Sequence, residues 1–186
     1  GNMRINFKFT KSVVAISVFL LLASCGFKPM YGENSVTGSN LAQLMANIEI
    51  DRITNISGRQ ERLSQLIENN LLDRISPRSS NGSGTAYLLK ANYDVEEQGY
   101  GIRDDESVTL QNLKLTVAFR LVEISSDDTI MDGTARAIVT YDLVQSDFSN
   151  LAARETSLER LSEEVANQIV TRIGTFLSNN QQNSGS

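Results

Sequence analysis

One soft nucleophile stands in this chain, and its setting is specific. Cys25 is the only cysteine among 186 residues, and it ends the run Leu22-Ala23-Ser24-Cys25. The thiolate is a far better nucleophile than any hydroxyl. Small side chains ahead of it let a membrane protease close on an extended backbone. Arg4, Lys8 and Lys11 lie upstream, and Val13 to Ala23 is apolar apart from Ser17. A basic segment, a short apolar run and small residues form the plan of a secretory signal, and the run is too short to span a bilayer. Gly1 and Asn2, ahead of Met3, are set aside as additions to the natural start.

The box at Cys25 resembles that of a bacterial lipoprotein signal. The resemblance implies cleavage between Ser24 and Cys25, a diacylglycerol thioether on the sulfur and acylation of the new amine. Gly26 rather than aspartate follows the cysteine. By the sorting rule of enterobacteria this implies the inner leaflet of the outer membrane. No cofactor is expected beyond the covalent lipid.

Little other chemistry remains. The chain has no histidine and no tryptophan. With Cys25 lipidated, zinc sites built on Cys and His, Ser-His or Cys-His nucleophile pairs and redox disulfides are all excluded. From Cys25 onward there are 14 basic and 22 acidic residues, a formal charge of −8. Such a balance opposes nucleic-acid binding, which depends on neutralising phosphates.

The elements that position the rest follow from periodicity. Residues 1–24 read as the signal, 25–44 as a lipidated N-terminus and tether, 45–178 as one α+β domain, and 179–186 as a disordered tail. Ile48 and Ile50 alternate with Glu49 and Asp51, which predicts a short strand from Met45 to Ile53. Leu63, Leu66, Ile67, Leu71 and Ile75 follow at helical spacing, and Pro77 stops the helix. Three stretches then alternate with period two: Tyr87 to Val95, Leu113 to Leu121 and Ala135 to Leu143. Gly99 and Gly101 mark the first connection, and Ser125 to Asp128 the second. A last helix carries an apolar stripe from Leu151 through Leu158, Leu161, Val165, Ile169 and Ile173 to Phe176. The order β-α-β-β-β-α predicts a two-layer sandwich. It has a mostly antiparallel four-stranded sheet with both helices on one face.

The other face of that sheet is the candidate site. Lys90, Lys114, Arg120 and Arg136 share its parity, four cations on an acidic protein, and guanidinium forks match phosphate geometry. Leu88, Val122 and Ile138 share it too, so the face suits an amphiphile or a protein wall as well as water. Asp94, Glu96, Glu97, Asp104, Asp105 and Glu106 gather around the glycines without the spacing of a calcium loop. At the expected tip, Tyr100, Ile102 and Arg103 are candidates for partner contact.

Gly26-Phe27-Lys28-Pro29-Met30-Tyr31-Gly32 follows the lipobox. Ala135-Arg136-Ala137, Thr140-Tyr141-Asp142 and Phe148-Ser149-Asn150-Leu151-Ala152-Ala153-Arg154-Glu155 come later in the same order of elements. In these the chain resembles the LptE family of outer-membrane lipopolysaccharide-assembly lipoproteins, in its alphaproteobacterial form. The resemblance implies no enzymatic activity. It implies a plug inside a large β-barrel partner of the LptD type, aid to that barrel's assembly, and contact with lipopolysaccharide. Lys114, Arg120 and Arg136 are the best placements for that contact. Two other readings stand beside it: a periplasmic lipid or ligand carrier with a closed cavity, and an envelope glycan hydrolase.

Overall fold

The computed structural model describes residues 36–58, 61–75, 84–102 and 108–184. The chain divides into two units, Gly1–Gly38 and Ser39–Ser186, and the sheet, the core and the two longest helices all lie in the second. Cys25 and Arg103 lie outside the described residues.

The elements are helix α1 (Val36–Ala46), strands β1 (Ile48–Ile50) and β2 (Thr54–Asn55), helix α2 (Glu61–Ile75), strands β3 (Tyr87–Ile102), β4 (Val108–Glu123) and β5 (Asp128–Asp142), and helix α3 (Asp147–Ser184). The long strands form an antiparallel meander, with β4 between β3 and β5. On the far side of β3, β1 and β2 pair parallel to it. A parallel neighbour needs a crossover, and α2 supplies it. Between β1 and β2 the register on β3 shifts by one residue, from Ile50↔Leu89 to Thr54↔Asn92. The extra residue keeps Ile53 on the core side, where it is buried.

Three boundaries differ from the sequence reading. A helix covers Val36–Ala46 where a tether was expected as far as residue 44, and Met45 belongs to that helix rather than to the strand. Helix α3 continues to Ser184, through the expected tail. The connection after β3 does not fall at Gly99–Gly101. Gly99 pairs with Gln111 and Ile102 with Val108, so both glycines lie inside the ladder. Gly101 has φ +71°, and a Cβ there would collide with the Thr109 hydroxyl. This glycine permits a close approach within a strand, where the sequence suggested a turn. The second connection falls as expected, with Asp127 in the left-handed region at φ 59°.

One face of the sheet is covered. From β4, Leu113, Leu115, Val117, Phe119 and Leu121 are buried, and Leu89, Tyr93, Ala135 and Ala137 flank them. Helix α2 presents Leu63, Ile67, Leu71 and Ile75 to this layer. Helix α3 presents Leu158, Leu161, Val165, Ala166, Ile169, Ile173 and Leu177. At the two ends of the expected α3 stripe, Leu151 is 56% exposed and Leu177, not Phe176, is fully buried. The two helices run in the same direction, joined by Arg62–Glu155 at 3.2 Å and Arg74–Glu163 at 3.4 Å. Between these pairs, the Asn70 amide donates to the buried Ser162 hydroxyl at 3.2 Å.

Phe119 lies opposite Gly133. A Cβ on Gly133 would stand 2.9 Å from the tip of the Phe119 ring. The missing side chain makes room for the ring beneath the sheet edge. Phe119→Ala is expected to cost about 3–5 kcal/mol in urea unfolding, through lost transfer energy and a cavity. Gly133→Val is expected to cost about 1–3 kcal/mol by overpacking. The pair should be strongly non-additive, since removing the ring vacates the space the valine needs. Additive losses would mean the ring and the glycine are not in contact.

Candidate functional site

Strand pairing sorts the bare face into rows across β3, β4 and β5. From one end the rows are Tyr100–Leu110–Asp142, Gln98–Asn112–Thr140, Glu96–Lys114–Ile138, Asp94–Thr116–Arg136, Asn92–Ala118–Thr134 and Lys90–Arg120–Asp132. Side chains directly opposite stand about 5 Å apart at Cβ, and successive rows on one face about 7 Å apart.

This register sorts the four cations. Lys90 and Arg120 are direct cross-strand neighbours, with Asp132 on the far side of Arg120. Arg136 lies two rows away, on the order of 14 Å. Lys114 lies three rows from Arg120, about 20 Å along the strand. Its ammonium grips both Glu96 carboxylate oxygens at 2.8 Å. Among the described residues, the side chains of Lys90, Arg120 and Arg136 hold no hydrogen bond or ion pair. The trio Lys114, Arg120 and Arg136 is therefore drawn out along the strands. The close pair is Lys90 with Arg120, which period-two parity could not reveal.

Apolar side chains are fewer here than parity suggested. Ile138 is 62% exposed in the row of Lys114, but of Leu88 and Val122, which pair just beyond the Lys90 row, Leu88 is half-buried and Val122 is buried where the ladder is irregular at Leu121/Val122. Tyr100 sits at the opposite end, 45% exposed, its hydroxyl donating to Gln98 Oε1 at 2.7 Å. It belongs to strand β3 and to the bare face, where a loop tip was expected.

Of the expected acidic cluster, Asp104, Asp105 and Glu106 lie outside the described residues, and the other three are divided. Asp94 and Glu96 lie on the bare face, while Glu97 lies on the helix side. There Arg154 of α3 holds Glu97, its Nε donating to Oε1 at 2.9 Å and its Nη2 to the same oxygen. That bond holds the Arg154 guanidinium above its ordinary pKa. Nearby Tyr141 is also raised, by burial first and by the Glu97 charge second. The cluster thus includes a structural clamp on the start of α3. Among the described residues, no group of three or more acidic side chains is placed to hold a metal ion, and no helix is long and apolar enough to cross a membrane.

A sheet with its two long helices packed on one face is a fold found among solved bacterial lipoproteins. A crystal structure from Caulobacter crescentus CB15, described as a candidate lipoprotein, is 25% identical with a TM-score of 0.56, covering 75% of this chain and 97% of that one. Rare lipoprotein B of Shewanella oneidensis shares the fold at 12% identity and a TM-score of 0.50, covering 72% of this chain and 99% of its own. Lipoprotein B of Nitrosomonas europaea does so at 13% identity and a TM-score of 0.50, covering 72% and 88%. Comparison with curated protein sequences gave no match. The family profile LptE, described as lipopolysaccharide-assembly, matches residues 45–173, and the chain belongs to that family.

Two like charges directly opposite destabilise a sheet. Lys90→Gln removes the repulsion and leaves Asp132 beside Arg120. It is expected to leave stability unchanged or to raise it by a few tenths of a kcal/mol, most visibly in melts at low salt. Lys114→Gln should cost less than about 1 kcal/mol, as exposed ion pairs do. A loss above about 2 kcal/mol from Lys90→Gln would show that its ammonium serves folding.

Proposed function

We propose that this protein is a lipid-anchored plug subunit of an outer-membrane β-barrel that assembles lipopolysaccharide in the outer leaflet. In this reading it aids barrel assembly and contacts lipopolysaccharide through the bare sheet face. The observation that carries the reading is that face, in a chain of the LptE family: the unpaired cations Lys90, Arg120 and Arg136 on the same face as the exposed Ile138 and Tyr100. Lipopolysaccharide has phosphates and acidic sugars beside acyl chains, and a mixed face offers partners to both.

The roles divide by row. Lys90 and Arg120 together make one anion-binding pair, and Arg136 a second point about two rows along. Lys114 is already neutralised by Glu96, so its contribution is secondary. The acidic remainder of the chain gives no long-range attraction, and binding rests on short charge-assisted hydrogen bonds. Tyr100 and Ile102, with Arg103 next in sequence, are the contacts proposed for the barrel partner. Cys25 carries the diacylglycerol that keeps the domain at the membrane. Two chains suffice for stable attachment where one is marginal.

The test is the triple variant Lys90→Gln, Arg120→Gln and Arg136→Gln in the full chain. Lipopolysaccharide binding at low salt should weaken by tenfold or more, while thermal unfolding moves little and the barrel still co-purifies from detergent-solubilised membranes. Equal affinity of variant and wild type would remove the head-group role. Failure of any outer-membrane barrel to co-purify would remove the plug role. Mass spectrometry of the native mature protein should find Cys25 lipidated, and an unmodified Cys25 would contradict the anchor.

A further inference from the structure

The outer edge of β5 is guarded at both ends and open in the middle. In an antiparallel ladder, alternate residues turn their backbone N–H and C=O away from the neighbouring strand. On β5 and its extension these are Thr134, Arg136, Ile138, Thr140, Asp142 and Val144. Helix α3 answers for three of them. The Gln168 side-chain amide pairs with Arg136 as a strand would, accepting from its N–H at 3.2 Å and donating to its carbonyl at 2.9 Å. Arg172 donates to the Thr134 carbonyl at 2.6 Å. At the other end, Asn150 repeats the paired arrangement on Val144, accepting at 2.9 Å and donating at 2.8 Å. Among the described residues nothing pairs with the outward groups of Ile138, Thr140 and Asp142.

Open edges are ordinarily blunted by charged side chains, proline or a bulge. Between Arg136 and Asp142 this window has none of them. It reads Ile138-Val139-Thr140-Tyr141-Asp142, mostly β-branched and aromatic residues suited to pairing. Its ends carry charges without partners among the described residues, Arg136 on one side and Asp142 on the other.

We propose that the window Ile138–Asp142 accepts a short extended segment of the barrel partner as an added strand. The inference rests on the plug reading. The occupant follows from the shape of the window. The Gln168 and Asn150 amides fill the places where a longer strand would continue, so the guest must enter and leave within about five residues. A second copy of this chain, bringing its own full-length β5 and its own guarding amides, would meet them head-on. The wall of a closed barrel has no free edge to offer. The guest is therefore a loop or an unpaired segment of the partner. Charge complementarity asks for a basic residue where it passes Asp142 and an acidic one near Arg136. Main-chain hydrogen bonds supply the affinity, and these flanking charges supply direction.

The experiment contrasts backbone with side chain in the complex purified from membranes. Thr140→Pro removes an outward N–H that the β4 ladder does not use, and proline is tolerated on edges. Thr140→Ala keeps that N–H. The proline variant should dissociate from the barrel about tenfold faster than wild type, and the alanine variant at the wild-type rate. Equal rates for the two variants overturn the proposal. Independently of folding effects, a benzophenone amino acid at position 140 of the otherwise unchanged chain should crosslink to one non-wall segment of the barrel. Adducts only to barrel wall strands, to lipid or to a second copy overturn the added strand while leaving the plug reading intact. Absence of a co-purifying barrel overturns both.

Discussion

Everything in this domain depends on the phase of β4. Its five odd-numbered residues from Leu113 to Leu121 are all buried, and the strand is paired on both sides. Burying each such side chain contributes about 1.5–3 kcal/mol. A slip of one residue would turn all of them to the outside at once. The core thus sets the register of the whole meander. The register in turn places Lys90 beside Arg120 and Glu96 beside Lys114. The bare face is arranged by residues that are not on it.

Helix α3 does two jobs. Its apolar stripe covers β4 and β5, and its polar flank reaches over the sheet edge. Asn150 and Gln168 are 18 residues apart on the helix, and Val144 and Arg136 are eight apart on the strand. At about 1.5 Å per helical residue and about 3.4 Å per strand residue, both spans come to roughly 27 Å. Helix and strand therefore run alongside each other at matched pace, which lets two side-chain amides act as stand-in strands at either end. Ser146 starts the helix, its Oγ accepting from the Ser149 N–H at 3.3 Å. The clamp of Arg154 on Glu97 ties the same end to β3.

The cost of the bare face is visible in its charges. Lys90 and Arg120 repel across one row, and Ile138 is left to solvent. Neither arrangement helps the isolated domain fold. Local choices that oppose stability while the rest of the chain agrees with it are characteristic of surfaces kept for binding. Family membership gives that surface its context.

The amino-acid sequence by itself determined the order of the long elements, the face each residue occupies, and the parity that gathers four cations opposite the helices. Periods of two and 3.6 are local, so they can be read without knowing what packs where. Alternation says which face, but not which neighbour. Only the folded chain decided that Lys90 meets Arg120, that Arg154 clamps Glu97, and that Lys114 is already paired. The same holds for Gly99 and Gly101, whose turn-forming character was legible while the strand through them was not. Pairing in the ladder is a contact between residues distant in sequence, and it outweighed the local preference. The open window on β5 is likewise tertiary. It exists because a helix at one pitch and a strand at another bring their amides together at two places and leave the residues between them unpaired.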